Sequence, residues 1–254
     1  MGILDNPFIV LAVALVAQWG AACAGDLLRK AGRGLEPGAR EDFDIVRNAA
    51  LTLLALIIGF SFSMAVGRYD QRKNYEEAEA NAIGTEYARA DLLPAGDSAR
   101  LRELLGRYIN QRILFYQAHS QREVDQIDAD TAKLQAELWS AVLEPAAIHP
   151  TPVLALAVSG MNDVLNSQGY TQAAWWNRIP MAAWGLMCLI AIACNVLVGY
   201  GERRTRAFVL LILPVIVSVS FFLIADIDSP RVGSGVIDVL PQNLIAATRA
   251  MKPQ

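Results

Sequence analysis

Four stretches of the chain, residues 7–25, 48–67, 179–200 and 207–225, contain no Asp, Glu, Lys or Arg. A helix rises ~1.5 Å per residue, so about 20 such residues cross a hydrocarbon core of ~30 Å, and each stretch is predicted to be a membrane helix. No Lys or Arg precedes the first run, and no clear small-residue cleavage site follows it before Asp26, so it is expected to remain as a membrane helix rather than leave as a signal peptide. Gln18 lies near its middle, where a lone amide serves as a helix-to-helix hydrogen bond or as a transport ligand. Pro214 is expected to kink the fourth run.

The second run organises the chain. Directly after Gly67 the sequence turns rich in Arg, Lys and Glu, yet apolar residues persist at helical spacing through Ile83, Tyr87 and Ala90, and the next proline is Pro94. One helix is therefore expected to leave the bilayer and continue into water. Three more helices follow. Asp97 or Ser98 is the expected cap of the first, whose stripe is Leu101, Leu104, Leu105, Tyr108, Ile109, Arg112 and Phe115. Val124, Ile127, Thr131, Leu134, Leu138 and Val142 form the second stripe, expected to end at Pro145. The third comprises Val153, Leu154, Ala157, Val158, Met161, Val164 and Leu165. The predicted fold class is an all-α integral membrane protein, with four transmembrane helices and an extramembrane antiparallel helical bundle inserted between helices 2 and 3. Its expected divisions are 1–67, 68–178, 179–226 and 227–254, the last ending in a surface helix over 242–251.

Between the first two runs, Arg29, Lys30, Arg33, Arg40 and Arg47 are interspersed with Gly32, Gly34, Pro37 and Gly38, which are expected to break regular structure over 26–47. Arg203, Arg204 and Arg206 crowd the turn between the last two runs. Two crossings separate these basic loops, so both lie on one side, and Lys and Arg in short loops favour the cytoplasm. The expectation is a multi-pass protein of the cell inner membrane with its bundle on the outer, periplasmic side. Arg68, Arg72 and Lys73, just after the second run, argue for the opposite side. Trp175, Trp176 and Trp184 are expected to mark a membrane interface.

Composition narrows the function. With 54% hydrophobic and 19% charged residues the chain is too apolar for a soluble domain, and a net charge of −3 provides no basic surface for nucleic acid. Cys23, Cys188 and Cys194 sit in apolar runs, and neither His119 nor His149 has partners at metal-ligand spacing. No nucleophile with a base, no phosphate-cradling loop and no metal cluster is present, so no enzymatic activity, cofactor or metal is expected.

What remains is the membrane. On the second helix Asn48, Thr52, Gly59, Ser63 and Gly67 fall mostly four apart, a stripe of small or weakly polar side chains on one face. Such a stripe is either a packing seam within one protomer or a hydroxyl-lined pore wall where identical helices meet around an axis. Asp226 and Asp228 stand at the end of the fourth run. They are either neutralised by Arg68, Arg72 and Arg231, or they form an acidic mouth that concentrates cations. The corresponding functions are an oligomeric ion channel, with lipid and inorganic ions as partners, and a non-conducting scaffold or envelope sensor whose bundle binds a partner.

Two blocks, GFSFSMAVGRYDQRKNYEEAEANAIGTEYARADLLP and ADIDSPRVGSGVIDV, resemble the hallmarks of the bestrophin-like domain family of bacterial membrane proteins. The resemblance marks Glu79, Asn81, Gly84, Asp91, Asp226, Asp228, Pro230, Arg231 and Gly233 without assigning any of them a chemical role. The related bestrophin anion channels are pentamers of four-crossing subunits, so the resemblance implies a homo-oligomer, a pentamer on that ground alone. The chain shows no acidic calcium-clasp run and no evident aromatic neck, and the resemblance therefore carries over neither calcium gating nor anion selectivity.

Overall fold

The computed structural model describes residues 6–32, 37–201, 208–229 and 239–251. Among them the chain is all-helical: α1 (Pro7–Ala31), α2 (Pro37–Arg89), a short 3-10 turn (Ala90–Leu92), α3 (Ala95–Gln117), α4 (Gln121–Ile148), α5 (Pro152–Trp176), α6 (Met181–Gly201), α7 (Val209–Asp228) and α8 (Gln242–Ala250). Four helical runs are long and apolar enough to cross a membrane, Pro7–Ala31, Gly38–Leu92, Pro152–Gly201 and Leu210–Asp228. The second helix does continue without a break from its apolar half into its charged half, as 53 residues of one α-helix.

The chain divides into two compact units, Met1–Arg68 with Arg178–Asp238, and Tyr69–Asn177 with Val239–Gln254. In the first unit α1 packs against α6 and α7. Lipid tails are as apolar as leucine, so these helices gain little from hydrophobicity and associate through close contact and buried hydrogen bonds. The contact is made by glycine. A Cβ on Gly25 would lie 2.2 Å from the Val196 carbonyl oxygen, and one on Gly199 would lie 2.0 Å from that of Ala22, so the two backbones touch. The hydrogen bonds come from Gln18: its Nε2 donates to Ser218 Oγ at 3.3 Å, and its Oε1 accepts from Asn195 Nδ2 at 3.1 Å. The mid-helix amide thus joins α1 to both α6 and α7. Trp184 meets Phe221 edge to face at 5.9 Å.

Regular structure extends further into 26–47 than the glycines and prolines suggested. Asp26 pairs with Arg29 at 2.7 Å, one turn on, which carries α1 to Ala31. Pro37 opens α2, where its missing N–H would have no helical partner in any case. Near that start Phe43 packs on Tyr200 at 5.6 Å, and Arg40 Nη2 donates to the Gly201 carbonyl at 3.5 Å.

The second unit is built from α2 beyond Tyr69, α3, α4, α5 and α8. The predicted α3 stripe is buried in full, and with Ile83, Leu134, Leu138, Met161 and Val164 it forms the core. Trp175 joins that core, 5.2 Å from Phe115 and 5.5 Å from Tyr116, whereas Trp176 is exposed. Val153 of the predicted α5 stripe is exposed as well. Two boundaries differ from expectation, the start of α3 and the end of α4. α3 starts at Ala95 with Pro94 as its cap, which places Asp97 in the first turn, where a negative charge suits the helix dipole. α4 begins with a reciprocal capping box between Ser120 and Glu123. It also runs past Pro145 to Ile148, because a proline in the last turn still offers its carbonyl, here to the His149 N–H at 2.9 Å.

Charge sits inside this core. The Glu79 carboxylate pairs with Arg112, and its Oε2 also accepts from Thr171 Oγ1 at 3.1 Å and from the Tyr116 hydroxyl at 3.3 Å. Both partners of the ion pair have no exposed surface. The Phe115 ring lies 4.4 Å from the guanidinium. Burial opposes the charge on Arg112, and the Glu79 carboxylate outweighs it, holding the guanidinium ionised. Burial, and next the charge of Glu79, push the phenols of Tyr108 and Tyr116 upward, so both stay neutral.

Two predictions follow from these contacts. Gly199→Ala, and separately Gly25→Ala, should lower the thermal midpoint of the purified protein, by an overpacking cost of about 1–3 kcal/mol. Gly20→Ala is the matched control on α1, because no described atom lies within 4 Å of its added Cβ. Arg112→Met should destabilise by about 3–5 kcal/mol by stranding a buried carboxylate, and Glu79→Gln in the same chain should recover part of that loss in denaturation experiments.

Candidate functional site

In its apolar half, α2 has two distinct faces. Leu54, Ser61 and Ala65 are buried at 2%, 6% and 0% exposure. At ~100° per residue, Thr52, Gly59 and Ser63 project roughly 140–180° away from that face. These three, with Asn48 and Gly67, are exposed, and a Cβ added to Gly59 or Gly67 would meet no described atom within 4 Å. Among the described residues the protomer packs the opposite side of the helix and leaves this stripe uncovered. Thr52 Oγ1 donates to the Asn48 carbonyl at 2.9 Å, so this hydroxyl needs no outside acceptor. Leu56 is exposed on the same side, and Phe60, Phe62 and Met64 flank it. Chemically the stripe offers neutral hydroxyls and bare backbone, with apolar side chains to either side.

Asp226 and Asp228 close α7. A carboxylate at a helix C-terminus faces the negative end of the helix dipole and requires compensation. Asp228 accepts the Ile179 backbone N–H through both oxygens, at 3.2 and 3.1 Å, and pairs with Arg68 Nη1 at 3.5 Å. It thereby holds the chain just before α6 against the end of α7. Both carboxylates are buried in the protomer, with 2% exposure for Asp226 and 6% for Asp228.

The remaining marked positions separate into different roles. Glu79 is the core carboxylate described above. Asn81 is exposed on α2, and Gly84 is half-buried with no described atom within 4 Å of an added Cβ. Asp91 makes a surface ion pair with Arg102 at 2.6 Å. Pro230, Arg231 and Gly233 lie outside the described residues, as do Arg203, Arg204 and Arg206 of the last basic turn.

Three residues with clear duties were not singled out from sequence. Arg112 was placed on an apolar stripe without a partner. Glu76 caps α8, its Oε1 accepting the Leu244 N–H at 2.9 Å and its Oε2 accepting from Asn243 Nδ2 at 2.6 Å. Glu86 has no exposed surface and faces Gly160 of α5. For the two glutamates the signal is periodicity: Arg72, Glu76, Glu79, Ile83, Glu86 and Ala90 recur every three or four residues, and all six are buried. Among the described residues no group of three or more His, Cys, Asp or Glu could hold a metal ion.

Comparison with known proteins agrees with this architecture. The chain superposes on a bacterial bestrophin homolog from Klebsiella pneumoniae carrying a tyrosine-to-alanine substitution, with a TM-score of 0.65 at 12% identity, over 95% of this chain and 96% of that one. A tryptophan-to-alanine form of the same homolog matches with a TM-score of 0.65 at 12% identity, over 99% and 97%. A membrane protein with a leucine-to-alanine substitution matches with a TM-score of 0.66 at 12% identity, over 96% and 97%. At such identity the likeness establishes the fold. No curated protein matches the sequence. The model of the Bestrophin-like domain matches residues 44–242, most of the chain, and on that ground the chain belongs to the Bestrophin-like family.

Proposed function

We propose that this protein is one subunit of a homo-oligomeric ion channel, with α2 lining the pore through Thr52, Gly59, Ser63 and Gly67. One observation carries the reading: the small, weakly polar stripe of α2 is turned away from its own protomer. Lipid gains nothing from hydroxyls and bare backbone, whereas copies of α2 around an axis would enclose a narrow, neutral, water-accessible path. Leu56 on the same side would add an apolar ring. Family membership and fold support a channel-type membrane protein, and a pentamer is the stoichiometry that family resemblance favours.

Asp226 and Asp228 enter this proposal as anchors of the α7 end, rather than as an open acidic mouth, since Asp228 is held by Arg68 and by the Ile179 N–H. For orientation we retain the charge argument: both basic loops in the cytoplasm, the bundle on the periplasmic face of the inner membrane. A second reading, a non-conducting scaffold or envelope sensor, is favoured by Leu143, Ile148, Val153 and Leu156, apolar side chains exposed around the α4–α5 turn. Such residues suit a protein contact.

Reconstitution into planar bilayers separates the readings. Wild-type protein should conduct, and Gly59→Leu or Ser63→Leu should abolish most of the current while leaving detergent-solubilised size and thermal midpoint unchanged. Silence of the wild type under varied salt, pH and tension removes the channel reading. For orientation, a cysteine introduced at exposed Gln126 in a cysteine-free chain should react with an impermeant maleimide added to intact cells. Protection until lysis places the bundle in the cytoplasm.

A further inference from the structure

Glu76, Glu79 and Glu86 all lie on the buried face of α2, with 2%, 0% and 0% exposure. Glu79 has Arg112, Tyr116 and Thr171, and Glu76 has the N-terminus of α8. Glu86 differs: among the described residues no hydrogen-bond donor reaches either of its carboxylate oxygens. The surface opposite it is bare backbone. A Cβ at Gly160 of α5 would lie 2.0 Å from Glu86 Oε2 and 2.2 Å from Arg89 Nη1, so the helices close over this acid only because α5 has a glycine there. A carboxylate with no donor in a slot closed to water is a poor place for charge, and a neutral acid is far better accommodated.

We propose that Glu86 is a proton-binding site of the helical bundle: with its proton on, α2 and α5 close at Gly160, and release of the proton loosens that crossing. The site stands independently of whether the protein conducts. Two charged groups act on it. Arg89, from its own helix, approaches to 3.9 Å with a side chain one-third exposed. Asp163, from α5, is exposed and adds negative charge. The next charged pair along, Asp91 and Arg102, is engaged with itself. Burial raises the acid most, Arg89 works against it, Asp163 adds to the rise, and together they push Glu86 up to about 8.

The sign of the pH dependence follows. In the unfolded chain the carboxyl releases its proton near 4.5, whereas in the fold it holds it to about 8. Between those values the folded state binds the extra proton, so stability falls as pH rises through the window and levels off above it.

The test uses the full-length protein in detergent. Thermal midpoints are followed from about pH 5 to about pH 9 for the wild type, Glu86→Gln and Asp163→Asn. Glu86→Gln, which keeps the shape of the neutral acid, should lose the part of the decline that the wild type shows on the way to pH 8, and should be the more stable protein at the alkaline end. Asp163→Asn, at an exposed site, should shift the wild-type decline to lower pH. Infrared difference spectra near neutral pH should show a protonated carboxyl C=O band that is absent from Glu86→Gln. The proposal is overturned by parallel pH profiles in wild type and Glu86→Gln, by a less stable Glu86→Gln at high pH, which would mean that the ionised acid forms a supporting pair with Arg89, or by absence of the band.

Discussion

A charge removed from water must find its counter-charge and its hydrogen bonds within the protein, and the helical bundle is arranged around that requirement. Glu79 on α2 meets Arg112 and Tyr116 on α3 and Thr171 on α5 at a single carboxylate. A buried pair of this kind adds little net stability over well-packed apolar residues, because both ions have lost their hydration. Its effect is on arrangement. Apolar stripes such as Leu101, Leu105 and Ile109 can mesh in more than one register, whereas Glu79 finds all three partners only when α2, α3 and α5 stand at one set of heights and rotations. Glu76 extends the constraint to α8 by taking up an N–H that the helix start leaves unpaired.

The membrane unit answers a different solvent. Without water there is no reward for bringing leucines together, so α1 and α6 associate where side chains are absent, at Gly25 and Gly199, and where Gln18 reaches Asn195 and Ser218. The end of α7 is the place where the two regimes meet within that unit. Asp228 there is an unfavourable charge on a helix dipole, made tolerable by Arg68 and by the Ile179 N–H, and through that N–H it fixes the approach to α6.

How much of this could be read from the residues depended on the length of the pattern. The four apolar runs, the passage of α2 from apolar to charged sequence, and the stripes of α3 and α4 are periodic over many residues and were legible. Local punctuation was read too broadly: regular structure was expected to break over 26–47 and at Pro145, yet α1 runs to Ala31 and stops only at Gly32, Pro37 is the first residue of α2, and the free carbonyl of Pro145 lets α4 continue to Ile148. Residue type alone did not show that Trp175 packs into the core, where its register on α5 places it against Phe115 and Tyr116. Arg112 and Glu86 were missed for a related reason. Periodicity assigns a face, but only tertiary geometry shows that a charged residue on an apolar face has a partner, or lacks one.

The same logic bears on the face of α2 that the protomer leaves unused. A helix surrounded only by lipid has no reason to place glycine and hydroxyl residues together, and five of the twelve exposed positions over 48–67, Leu53, Leu56, Phe60, Phe62 and Met64, are large and apolar as lipid favours. Thr52, Gly59, Ser63 and Gly67 are the departure from that pattern, concentrated on the side opposite Leu54 and Ala65. Gly59 and Gly67 carry a conformational cost in mid-helix that no contact inside the protomer repays, since nothing described lies near them. In the homo-oligomer proposed above, close approach of neighbouring copies or a column of water would supply what such a surface lacks in the lone subunit.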